Sequence, residues 1–119
     1  MKRILFPVFI LLTATPALAV DFGAHIRSID GKDIPVSNTD ESPVTLGKIS
    51  EDALIATLPN DNPTPDEKSR RFFLAMKVHA GKEPSAEEVI LLKKVIGMAY
   101  GPLVVGRATE LLDPASVPK

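Results

Sequence analysis

TPDEKSRRFFLAMKVHAGKEPSAEEVILLKKVIGMAYGP, residues 64–102, carries two helix starts and two helix stops, and its reading sets the fold class. Thr64 offers a capping hydroxyl, Pro65 suits the first helical position, and Glu67 is spaced to reach back to the cap. A helix is expected to run from there to about Ala80 and to stop at Gly81. Its apolar spacing assigns Phe72, Phe73, Met76 and Ala80 to the inward face and Lys68, Arg70, Arg71 and Lys77 to the outward one. Ser85 and Glu88 repeat the capping box and open a second helix through VILLKKVIGMAY. Val89, Leu92, Ile96 and Ala99 form one row there, widened by Ile90, Leu91, Val95 and Met98. A helix so apolar belongs at the centre.

The same logic extends in both directions. Gly101 ends the second helix and Pro102 starts another through GPLVVGRATELLD, with Leu103, Val104, Leu111 and Leu112 apolar and Gly106 expected to allow close helix contact. Asp113 and Pro114 stop it, which leaves 114–119 as a flexible tail. Upstream, Thr45 caps a helix through LGKISEDALIATL, whose Leu46, Ile49, Ala53, Leu54 and Leu58 share a face and whose first turn Gly47 weakens. PNDNPTP, residues 59–65, breaks it. Residues 20–36 alternate apolar and polar positions around Asp30-Gly31, a turn that favours positive φ, and are expected to form a β-hairpin limited by Pro35. SNTDESP, residues 37–43, has turn formers and no apolar anchor. The expected fold is therefore mainly α: an N-terminal β-hairpin followed by a compact bundle of three to four short helices, with 20–113 as a single small globular domain.

Residues 1–19 form a separate pattern. A basic tip, MKR, precedes the apolar run ILFPVFILLTA, and small residues Ala17 and Ala19 end the segment in the positions a signal peptidase recognises. The run spans about 11 residues, against roughly 20 for a bilayer crossing, so a permanent membrane span is not expected. It is apolar on all sides, which suits an ordinary core helix poorly. The expectation is a cleavable signal peptide and an exported protein, periplasmic or secreted. The alternative is an apolar segment that is never cleaved, or one that arises from a mis-assigned start.

With 119 residues the chain has room for one core. It is 45% hydrophobic and 24% charged, which is ordinary for a globular protein. A formal net charge of −1 gives no reason to expect nucleic-acid binding. The absence of cysteine excludes disulfides and thiolate chemistry.

No pattern of catalysis emerges. His79 with Met76 three residues earlier is the sharpest metal reading, and two ligands do not make a site. His25 lies in the expected hairpin. Carboxylates such as Asp66, Glu67, Glu87 and Glu88 fall in first helical turns, where they complement the helix dipole. The serines lack a nucleophile elbow, and GPLVVG lacks the lysine of a phosphate loop. EKSRRFF places bases beside aromatics, but Asp66 and Glu67 nearly cancel the charge.

The segments IDGKDIP, TLG, DEKSRRFFLAMKV and SAEEVILLKKVIGMAYGPLVVGRATELLD, taken in this order, resemble small proteins of phage and prophage genes to which no function is assigned. The resemblance covers residues 21–113. It identifies no active site and implies at most a compact accessory protein that works by contact, and the leader is a departure from it; no cofactor is expected.

The expected function is non-catalytic binding of a protein partner or of a second copy. Phe22 and Ile26, on an exposed hairpin edge, are the first candidate contacts, and Arg70 and Arg71 the next. The other readings are a cytoplasmic phage-type accessory protein and a small periplasmic metal binder in which His25, His79 and carboxylates converge.

Overall fold

Each helix begins where its first unpaired N–H groups find an acceptor or are removed by proline. In the computed structural model, which describes residues 19–118, α1 spans Leu46–Ile55, α2 Pro65–His79, α3 Ala86–Ala99 and α4 Pro102–Leu112. Thr45 Oγ1 accepts from the Lys48 N–H, and Thr64 Oγ1 from that of Glu67, both at 3.2 Å. Ser85 and Glu88 close the full capping box, with the Ser85 N–H donating to Glu88 Oε1 at 2.7 Å. Glu67 does not complete the expected box at Thr64, because its carboxylate is turned to Arg71 and Lys94. α4 relies on Pro102 alone.

The helices form one compact globule in which α1 packs against both α2 and α3, and α3 carries α4. α1 is the shortest helix and the most enclosed, with Leu46, Gly47, Ile49, Ser50, Ala53 and Leu54 all buried. α3 shares the centre through Leu92, Val95 and Ile96 but leaves Ile90 67% exposed. The core runs from Phe22 to Leu112, so the segment beginning at Val20 contains all of it. Full burial of an Ile or Leu contributes about 1.5–3 kcal/mol, which makes Ile26, Leu46, Leu92 and Ile96 its principal anchors.

The expected hairpin over 20–36 is replaced by isolated antiparallel bridges, Arg27 with Asp33, His25 with Thr45 and Pro35 with Pro43. The turn itself forms, with Gly31 at φ 85° and the Ser28 N–H donating to the Lys32 carbonyl. No ladder follows because both arms pair with Val44, on the chain entering α1, instead of with each other: the Ile26 N–H donates to the Val44 carbonyl and the Val44 N–H to the Ile34 carbonyl, both at 2.8 Å. The Leu46 N–H donates to the Ala24 carbonyl at 2.8 Å and the Gly47 N–H to that of Phe22 at 2.7 Å. With Thr45 serving the third N–H, the N-terminal segment acts as a backbone cap on α1. Arg107 on α4 holds the other end of that segment, donating from Nη2 to the Ser28 carbonyl at 2.7 Å and from Nε to that of Arg27 at 3.0 Å.

Several expectations change accordingly. Phe22 and Ile26, expected at an exposed edge, are 8% and 0% exposed and belong to the core, since the segment lies along α1 instead of standing free. α1 ends at Ile55 with an extended Ala56, short of Leu58, although Leu58 is still buried. Residues Pro114–Ser116 form a 3₁₀ turn where a frayed tail was expected, and Asp113 before it pairs with Lys93 at 2.9 Å. The expected leader, Ala17 included, lies outside the described residues apart from Ala19, which is exposed.

Two glycines give opposite predictions. A Cβ on Gly47 would stand 3.0 Å from the Phe22 carbonyl oxygen, whereas one on Gly106, exposed in the middle of α4, meets nothing within 4 Å. Gly47→Ala is expected to lower the urea midpoint by the equivalent of about 1–3 kcal/mol. Gly106→Ala is expected to raise it by up to about 1 kcal/mol, and it corrects the close contact expected at that position.

Candidate functional site

α2 carries two stripes of apolar residues at helical spacing, and only one of them can face the core. Phe72, Phe73 and Met76 make the bulkier stripe; Leu74, Ala75 and Val78 make the other, with Arg71 among them. The structure buries the second. Arg71, Leu74, Ala75 and Val78 are the buried residues of α2, and the face expected to turn inward turns out.

Arg71 explains the choice. Its side chain is 4% exposed, and Nη1 donates to Asp61 Oδ2 at 2.6 Å. Asp61 stands on the loop between α1 and α2, which is anchored by buried Leu58 and reversed at Asn60, a residue with φ 58°. Nη2 lies 3.8 Å from Glu67 Oε2, which in turn lies 3.7 Å from Lys94 Nζ on α3. Among the described residues, Arg71 Nε and Nη2 have no hydrogen-bond partner. A guanidinium held this far from water needs its carboxylates in place, and turning α2 outward would strand Asp61 as well. The hydrogen bond from Arg71 holds the Asp61 carboxyl below the usual aspartate range. Arg71, expected as a solvated partner contact, is therefore a structural residue.

The outer face of α2 is correspondingly apolar. Phe72, Phe73 and Met76 are 52%, 65% and 56% exposed, and the two rings meet edge to face at 5.5 Å. Together they present on the order of a few hundred Å² of apolar surface, the size at which patches on monomers are often functional. Phe72 also lines a cleft of about 560 Å³ with Leu54, Ile55, Pro63, Lys68 and Arg71, so the outer stripe and the cleft are continuous. Ile55 in that cleft is 65% exposed. Lys68 and Arg70 are exposed on either side of the stripe, and among the described residues neither enters an ion pair. The acids expected to cancel them are partly withdrawn, because Glu67 is held by Arg71 and Lys94.

The other groups weighed from the sequence do not come together. His25 Nδ1 lies 3.0 Å from Asp33 Oδ1, which Arg27 also approaches, and His79 Nδ1 lies 3.2 Å from Glu51 Oε1. Among the described residues no three His, Cys, Asp or Glu side chains group so as to hold a metal ion. Ser85 is occupied in capping α3, and Ser28 and Ser37 in local turns. No helix among the described residues is long and apolar enough to cross a membrane.

The Asp61 ion pair fixes the sign of a pH effect. A carboxyl whose pKa is lowered by folding stabilises the fold above its unfolded value, near 3.8, and loses that contribution as pH falls through the folded value. Glu88, lowered by its hydrogen bond from Lys77, and Asp113, lowered by Lys93, act in the same direction. Thermal melts are expected to show Asp61→Asn less stable than the native chain at pH 7, with the gap closing as pH falls below about 4. A gap that stays constant across that range would deny the pair its role.

No known family model, curated protein or solved structure matches this chain, so its functional reading starts from the surface of α2.

Proposed function

We propose that the chain is an exported, non-catalytic binding protein that holds a protein partner on the outer face of α2. The observation that carries this reading is the inversion of α2: two phenylalanines and a methionine face solvent while an arginine takes the inward place. Aromatic side chains and methionine are the residue types that anchor interfaces, because each buries a large area at modest entropic cost. A cleft beside the stripe gives such an interface depth, as in complexes where an amphipathic segment lies in an apolar groove.

The charges select the partner's chemistry. Exposed Lys68 and Arg70 bracket the stripe, so the complementary segment is amphipathic, with apolar residues at helical spacing and acidic residues on its flanks. Export is supported by the order of basic tip, apolar run and small residues over 1–19.

The test is site-directed photocrosslinking. A benzoylphenylalanine residue placed at Phe73 in the exported chain is expected to give one discrete adduct, mapping to an acidic amphipathic segment of a partner. A synthetic peptide of that segment should then bind the native chain, and Lys68→Glu with Arg70→Glu should weaken it by about tenfold or more. Phe72→Ser with Phe73→Ser should abolish binding while lowering the folding free energy by no more than about 2–3 kcal/mol and leaving the chain folded, since each ring keeps half or more of its surface in water. Adducts that are diffuse, or peptide binding untouched by the double serine variant, would refute the reading.

A further inference from the structure

The backbone nitrogen of Val20 has an unusual partner. Its N–H donates to Glu83 Oε1 at 2.8 Å, across 63 residues of sequence. Glu83 stands in the loop between α2 and α3, next to buried Pro84. The Val20 side chain packs against the core and Phe22 is within it, whereas Ala19 is exposed. The chain is thus tied down from Val20 onward, and the tie at its start is made to a carboxylate. A neutral amide uses only part of what a carboxylate offers; an ammonium at the same nitrogen would make a charge-assisted bond about twice as strong. The neighbouring Asp21 carboxylate is turned to the Gly23 N–H, which donates to Oδ1 at 2.9 Å.

Residues 17–19 read Ala-Leu-Ala, with small side chains in the two places a signal peptidase requires. We propose that the Ala19–Val20 peptide bond is a processing site and that Glu83 is the receptor for the α-ammonium group the cut creates. The reaction is hydrolysis by a peptidase of the signal-peptidase class. The C–N bond breaks, the hydroxyl of water joins the Ala19 carbonyl carbon, and its proton goes to the Val20 nitrogen. The new carboxyl then loses a proton and the amine gains one, leaving a carboxylate on Ala19 and an ammonium on Val20. The product end is held beside α3's entry, and with it the segment whose Phe22 and Ala24 carbonyls accept the first N–H groups of α1. Processing in this way tightens the strap that caps the central helix.

The cut rests on the export reading above, while the pairing with Glu83 can be judged without it. Intact mass and N-terminal sequencing of the protein from native cell fractions test the cut. Urea unfolding of residues 20–119, which contain the entire core, tests the receptor at about pH 6, where an α-amino group is charged. Four chains are compared: free or Nα-acetylated, each with and without Glu83→Gln. The expected mature chain begins at Val20, and acetylation lowers the folding equilibrium constant about two- to fivefold only where Glu83 is present. An exported chain beginning elsewhere would overturn the processing site and leave export standing. Acetylation effects equal in both backgrounds would overturn the receptor. A full-length chain confined to the cytoplasm would overturn export and the cut together, with the four-chain comparison still deciding the role of Glu83.

Discussion

The ion pair between Arg71 and Asp61 sets the rotation of α2, and most of what the surface offers follows from that rotation. A guanidinium 4% exposed cannot be moved to water without also unpairing an aspartate that is itself 10% exposed. Once Arg71 is inside, Leu74, Ala75 and Val78 are carried onto α1, and Phe72, Phe73 and Met76 are carried outward. The fold keeps a polar contact near its core and leaves its largest side chains in solvent. The apolar burial given up at the phenylalanines is set against the cost of separating Arg71 from Asp61.

A second constraint acts at α1. The helix is short, sits between α2 and α3, and has its first N–H groups covered by the carbonyls of Phe22 and Ala24. The Phe22 carbonyl approaches closely only because Gly47 has no side chain. The glycine that lowers helix propensity is thus the residue that lets the N-terminal segment close over the helix, and Arg107 fixes that segment's far end to α4. The two constraints are joined through α1, which packs on α2 with one side and receives the N-terminal strap at its start.

Local signals were legible in the sequence, and long-range choices were not. Thr45, Thr64 and Ser85 announce the helix starts because a cap is settled within three or four residues of chain. The four helices and their order were readable for that reason. The inward face of α2 was not, because both stripes have helical spacing and the decision lies with Asp61, ten residues away in a loop. Its only trace in the sequence is the placement of Arg71 in phase with Leu74, Ala75 and Val78. The turn at Asp30-Gly31 formed as expected, but the ladder beyond it depended on pairing with residues 42–46, which alternation in one segment cannot reveal. Phe22 and Ile26 moved from edge to core for the same reason. The stripe Phe72, Phe73 and Met76 is legible as apolar from its spacing; its exposure is a property of the tertiary structure alone.

The most direct test of this account is hydroxyl-radical footprinting of the folded chain at low concentration, read residue by residue along α2. The account predicts that Phe72, Phe73 and Met76 are oxidised at rates approaching those of the unfolded chain, while Leu74 and Val78 are strongly protected. Protection of the phenylalanines together with rapid oxidation of Leu74 and Val78 would mean that α2 is turned the other way, and the proposed surface would not exist.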